Sequence, residues 1–202
     1  MTRRLVSAAV VAMLGLVALA GCAGQSTIYN SMISTAYRPY LYGYGAGRRD
    51  LTTIVLGNPF DLDQKQMEAR LLAKFNARPT LLQPTHFTTT PGPSARPEFK
   101  AVLLFNRAIV LPNAVCRAPD PVPVADLGST MRLTATFCRY GGYLSTVTGE
   151  LENVTDIDDP RFEKLIGQMV PLLFPPIDPT QDDNGGMRFL ITRAPAISPV
   201  PG

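Results

Sequence analysis

The chain has 202 residues, with 19 basic against 16 acidic side chains, a formal net charge of +3 and 46% hydrophobic residues. That length supports a single domain of moderate size. Taking away residues 1–21 removes two arginines and no acidic residue, which leaves 17 basic against 16 acidic and a net charge of about +1. No basic field then remains to attract nucleic acid, and no second apolar run is long enough to cross a bilayer.

At the N-terminus, Arg3 and Arg4 precede an uninterrupted apolar and small-residue run from Leu5 to Ala20. The run suits the hydrophobic region of an export signal and is short for a spanning helix, which needs roughly 20 apolar residues. Thr2-Arg3-Arg4-Leu5 is faintly similar to a twin-arginine signal, although two arginines are equally an ordinary cationic start. The run ends in Leu19-Ala20-Gly21-Cys22. Small residues at 20 and 21 let an extended chain enter a peptidase groove, and the Cys22 thiol can carry a diacylglycerol. The quartet resembles the lipobox of bacterial lipoproteins residue for residue. That resemblance implies cleavage before Cys22, a lipid thioether at its sulfur and acylation of its new amino group. Two or three acyl chains exceed what stable anchoring requires. Residue 23 is Ala, not Asp, which by resemblance to the enterobacterial sorting rule favours the periplasmic face of the outer membrane over the inner membrane.

Residues 22–49 read as a lipid-anchored tether. They carry Tyr29, Tyr37, Tyr40, Tyr42 and Tyr44 among glycines and serines, without helical or strand period. A flexible coil of this length spans roughly 30 Å, with a few tyrosines packing on the domain or resting in the membrane interface. The domain itself is expected over 50–193. Leu51–Leu56 is β-branched and apolar and ends at Gly57-Asn58-Pro59, a strand signature. Asp63 caps a helix to about Asn76, with Gln66 placed as in a capping box and Met67, Leu71, Leu72 and Phe75 on one face.

After a Pro- and Thr-rich loop, Phe99–Leu111 reads as a central strand. Thr130–Arg139 and Tyr143–Glu152 form a hairpin about Tyr140-Gly141-Gly142. Asp159-Pro160 opens a last helix, in which Phe162, Leu165, Ile166, Met169 and Val170 make an apolar stripe that Pro171 stops. Met187–Arg193 is a candidate short strand, and 194–202 a proline-rich tail. The order β-α-β-β-β-α predicts an α+β fold: a small, mainly antiparallel sheet with two helices packed on one face. Whether the first two strands pair in parallel is left open.

Once Cys22 is lipidated, Cys116 and Cys138 are the only cysteines. An even pair in an oxidising compartment reads as a disulfide. Two free thiols or a metal site are the alternatives, and a lone histidine distant in sequence counts against zinc. No cofactor motif is present.

Candidate chemistry is thin. His86 is the only imidazole and lies in a loop. Carboxylates could hydrolyse a glycan without it if Glu98, Glu150 or Glu152 converged with Asp126. The acidic runs 156–159 and 178–184 do not match a calcium loop. Gly57-Asn58-Pro59-Phe60 sits between strand and helix, where ligands bind in α/β units, and is the first place to look for a bound small molecule. An apolar cavity opening near 57–60 or 85–95 would mark a carrier or sensor.

With its lipobox, Tyr/Gly-rich segment and Val55-Leu56-Gly57-Asn58-Pro59-Phe60 turn, the chain resembles uncharacterised proteobacterial lipoproteins of about this size. The resemblance implies no activity, and only Cys22 inherits a role. The expectation is a non-enzymatic, membrane-anchored binding module with an envelope protein, peptidoglycan or a lipid carrier as partner. A cell-wall hydrolase and a small-ligand carrier are the alternatives.

Overall fold

The computed structural model describes residues 26–178. Cys22, the export signal, the candidate strand 187–193 and the tail 194–202 lie outside the described residues. Strand β1 (Thr27–Ile33) is followed by helix α1 (Pro39–Gly45), β2 (Asp50–Leu56), α2 (Gln64–Asn76), β3 (His86–Thr88) and β4 (Phe99–Phe105). Helix α3 (Pro112–Arg117), β5 (Thr130–Arg139), β6 (Gly142–Glu152) and α4 (Pro160–Leu173) complete it. The class is α+β. One six-stranded sheet runs in the order β1-β6-β5-β4-β2-β3.

The sheet is mixed, so the expectation of a mainly antiparallel sheet with two helices on one face is met only in part: three helices pack on that face. The β1–β6, β6–β5 and β5–β4 pairs are antiparallel, whereas β4–β2 and β2–β3 are parallel. Helix α2 makes the parallel β2–β4 connection possible, because parallel neighbours need a crossover rather than a hairpin. Its start follows the expectation: Asp63 accepts from the Lys65 and Gln66 amides at 2.9 and 3.1 Å. Its buried residues are Met67, Leu71, Leu72 and Phe75. The β5–β6 hairpin turns through Tyr140 and Gly141, both left-handed (φ 49° and 82°), the two-residue turn that matches strand twist. Gly142 belongs to β6.

Residues 26–49 are part of the fold, not a free tether. Strand β1 extends the sheet beside β6, and α1 drives Tyr37 and Tyr42 to zero exposure in the main core. The Tyr37 hydroxyl donates to the Pro175 carbonyl at 2.7 Å, and the Tyr42 hydroxyl lies 2.8 and 2.6 Å from the Thr80 and Thr85 hydroxyls. Periodicity missed both elements because seven residues make only two turns of helix in α1, and β1 shifts register between Ile28 and Asn30.

His86 is likewise on a strand rather than in a loop. Three residues are too few for a periodic signal, and β3 is held by Asn76, whose side chain bonds both the amide and the carbonyl of Phe87. The strand from Phe99 ends at Phe105, earlier than the apolar run that continues to Leu111. Pro171 lies inside α4, which runs two residues past it. The proline costs one hydrogen bond, and the buried Val170, Leu173 and Phe174 hold the last turn in the core.

The two faces of the sheet differ. Side chains of α1, α2 and α4 share the main core with Ala101, Leu103, Phe105, Leu133, Ala135, Phe137 and Val147. On the opposite face a smaller apolar cluster joins Val102 and Leu104 of β4 to Val115 and Cys116 of α3, Val122 and Cys138. The expected disulfide is there: Cys116 and Cys138 are bonded, with Cα atoms 5.6 Å apart, and pin α3 to β5.

Candidate functional site

The opposite face also carries a ladder of threonines. In β5 and β6, Thr134-Ala135-Thr136 pairs with Thr146-Val147-Thr148. Strand alternation sends Ala135 and Val147 into the main core and the four threonines to the other side. Their hydroxyls pair across the strands, Thr134 with Thr148 at 3.0 Å and Thr136 with Thr146 at 2.9 Å. Thr146 also donates to the Ala135 carbonyl at 3.2 Å.

Above the ladder, residues 108–115 leave a shallow cleft, lined by Thr134, Thr146, Thr148 and Asn30 below and by Ile109 and Val110 among the residues above. It opens onto solvent and encloses little volume. Where β1 begins, the Arg132 guanidinium bonds the Glu150 carboxylate at 2.7 Å and lies 5.9 Å from the centre of the Tyr29 ring. Burial, with the Glu150 charge beside it, pushes the Tyr29 hydroxyl up to about 12.

The arrangement can accept and donate hydrogen bonds; it has no base for proton transfer. Among the lining residues there is no imidazole, thiol or carboxylate. His86 stands on β3, at the opposite edge of the sheet from β1. Its Nδ1 lies 2.7 Å from Asp50 Oδ1, and Asp50 also accepts from the Gly92 amide. The His86 bond holds the Asp50 carboxyl below its ordinary range.

Among the carboxylates weighed for hydrolysis, Glu98 stands far from Glu150. The Glu98 carbonyl receives the Tyr140 amide at one end of β5, while Glu150 pairs with Arg132 near the other. Eight residues of strand separate the two levels, about 26 Å against the roughly 5–9.5 Å of glycosidase pairs. Asp126 turns its carboxylate to the Gly128 amide, and Glu152 is exposed.

The Gly57–Phe60 turn is built inward. Gly57 has φ 86°, and a Cβ there would stand 2.7 Å from the Phe105 carbonyl oxygen. The Asn58 side chain donates to the Leu62 carbonyl at 2.7 Å and accepts from the Phe60 amide at 3.0 Å. Phe60 packs edge-on against Phe105 and Phe162. The hydrogen-bonding groups of Asn58 are thus engaged within the chain.

Asn30 and the threonines had not been singled out from the sequence. The available signal was the Thr-x-Thr alternation in both arms of one hairpin, which places four hydroxyls on one face. Among the described residues no group of three or more His, Cys, Asp or Glu could hold a metal ion, and no helix is long and apolar enough to cross a membrane. No family model matches the chain, and comparison with curated proteins and with solved structures finds no similar protein.

Proposed function

We propose that the chain is a lipid-anchored cell-envelope protein, held through Cys22 at the periplasmic face of the outer membrane, and that its domain binds another envelope component without transforming it. The threonine-lined cleft carries the binding half of this reading. Hydroxyls, one carboxamide and apolar carbon recognise a polar, uncharged group but supply no acid or base near neutral pH. The cleft is open to solvent and encloses only about 20 Å³, room for little more than one water. A surface this shallow can meet a larger partner but cannot enclose a small ligand, so a protein complex or peptidoglycan is favoured over a lipid carrier. The envelope half is supported by Leu19-Ala20-Gly21-Cys22 after the apolar run, and by the Cys116–Cys138 disulfide, a bond suited to an oxidising compartment.

The test places a photo-crosslinking residue at Asn30, on the cleft, and at Tyr140, on the far hairpin, in cells producing the full chain. Mass spectrometry of the mature protein accompanies it. The expected result is a diacylglycerol-bearing Cys22 as first residue and a reproducible adduct from position 30 alone. A mature protein that does not begin at Cys22, or equal capture from both positions, overturns the reading.

A further inference from the structure

Two loops leave the same end of the sheet. After β4, Asn106 donates its amide to the Arg132 carbonyl, so that the level of Asn106 follows Arg132, Glu150 and Thr27 across four neighbouring strands. From there residues 107–111 run beside 122–125: Arg107 bridges to Val124, and the Ala108 amide donates to the Pro123 carbonyl. This loop pair exposes large apolar side chains, Ile109 at 58%, Leu111 at 80% and Val124 at 72%. The two nearby arginines are directed inward, while Asp120 and Asp126 flank the second loop as exposed carboxylates. The Arg107 guanidinium donates to the Val122 carbonyl at 2.8 Å, and Arg132 pairs with Glu150.

The first residue of β1, Thr27, is only five positions after Cys22. Five residues of fully extended chain reach at most about 18 Å. Three strand spacings, about 14 Å, separate Thr27 from the level where the loop pair begins. A lipid at Cys22 therefore fixes this end of the sheet near the headgroups, where exposed apolar side chains on a polar domain find favourable surroundings.

We propose that the loop pair 107–111 and 122–125 rests in the interfacial layer of the bilayer that anchors Cys22, with Leu111 and Val124 inserted, and thereby sets the orientation of the domain. The occupant of the patch is lipid rather than a second protein, because the anchor holds the patch within reach of lipid at all times. The inference rests on the reading of Cys22 as lipidated. The contact is apolar, so added salt leaves it unchanged.

The chain contains no tryptophan, so Leu111→Trp, Val124→Trp and the hairpin control Tyr140→Trp each create a single reporter at an exposed position. The lipidated full-length proteins are reconstituted in phosphatidylethanolamine–phosphatidylcholine vesicles with and without brominated acyl chains. The expected result is a blue-shifted emission and a roughly twofold loss of intensity in brominated vesicles at 111 and 124, with no change at 140. Lipidated protein whose Leu111→Trp emission is quenched no more than that of Tyr140→Trp overturns the inference alone. So does a blue shift that grows with protein concentration without quenching, which would report contact between copies. A product without lipid on Cys22 overturns the anchor and the inference together.

Discussion

Gly45 packs so closely against Phe99 that a Cβ at position 45 would stand 2.5 Å from the ring carbons. Phe99 opens β4 and stacks on Phe137 of β5 at 5.8 Å, so the ring has no room to retreat. Helix α1 can therefore lie on the sheet only with a glycine at this position. Gly45→Ala is expected to lower stability by about 1–3 kcal/mol, the usual range for overpacking. The measurement is the urea midpoint. An unchanged midpoint would mean that α1 is not seated in the core.

The same contact explains what the sequence conceals. Long, periodic elements were legible: α2 and α4 with their apolar faces and acidic caps, and both arms of the β5–β6 hairpin. A two-turn helix, an interrupted edge strand and a three-residue strand were not. Tyrosine and glycine around α1 resemble a linker in composition, yet Tyr37, Tyr42 and Gly45 are buried through contacts to β4, β5 and residues 174–175 that are remote in sequence. The cleft escaped notice for a related reason. Its polar floor comes from β1, β5 and β6 and its upper wall from 108–115, and no local pattern records which segments a sheet will bring together. The disulfide was legible because counting cysteines needs no fold.

That disulfide joins β5 to a segment otherwise held by a small apolar cluster and a few hydrogen bonds, among them the Tyr143 amide to Asn113 Oδ1 at 3.0 Å and Arg107 to the Val122 carbonyl. The bond closes a sequence separation of 22 residues, which on the chain-entropy model is worth roughly 3 kcal/mol. Replacing both cysteines by serine is expected to lower the urea midpoint accordingly. Hydrogen exchange should rise first over 106–125, while the β5 and β6 amides stay protected. Uniform loss of protection across the sheet would contradict this division.

Acid should weaken the start of α4. Asp159 accepts from the Arg161 amide at 2.8 Å and from its guanidinium at 2.6 Å. The guanidinium bonds hold the carboxyl below its ordinary range. A carboxylate depressed in the folded state contributes stability that is present above its unfolded value, near 3.9, and is lost as pH falls through the lower folded value. Asp159→Asn keeps an oxygen for the cap but removes the charge. It is expected to reduce the loss of stability on acidification below about pH 4, followed by circular dichroism from pH 7 downward. Asp50 and Asp158, also held low by His86 and Lys74 respectively, will keep part of the acid sensitivity in the variant.

At the alkaline end the sign reverses. Tyr29 is raised to about 12, chiefly by burial and next by Glu150. A group whose folded value exceeds its unfolded one, near 10, stabilises fully below pH 10 and loses that contribution as pH rises to about 12. Tyr29→Phe cannot ionise, so its stability should fall less steeply over this interval than that of the wild type. Tyrosinate absorbance and the unfolding midpoint, read on the same samples, decide it. Parallel curves for the two proteins would show that Tyr29 does not supply the linkage.

The threonine ladder separates stability from binding. Thr136 and Thr146 are fully or nearly fully buried and satisfy each other. Changing Thr146 to valine strands the Thr136 hydroxyl, at a cost of about 1–3 kcal/mol, whereas changing both can be nearly neutral. Thr136→Val leaves the Thr146 hydroxyl its bond to the Ala135 carbonyl, so Thr146→Val should destabilise more than Thr136→Val, and the double variant should recover most of the Thr146→Val loss. Thr134 and Thr148 form the neighbouring pair, and both line the cleft. Their double valine variant is likewise expected to keep its urea midpoint, since valine retains the β-branched shape that suits a strand. It removes the half-buried Thr134 hydroxyl and its buried Thr148 partner from the cleft floor, so crosslinking from Asn30 should fall while the fold stands. If the midpoint holds and crosslinking from Asn30 is undiminished, these hydroxyls serve the packing of the hairpin and the partner is recognised elsewhere.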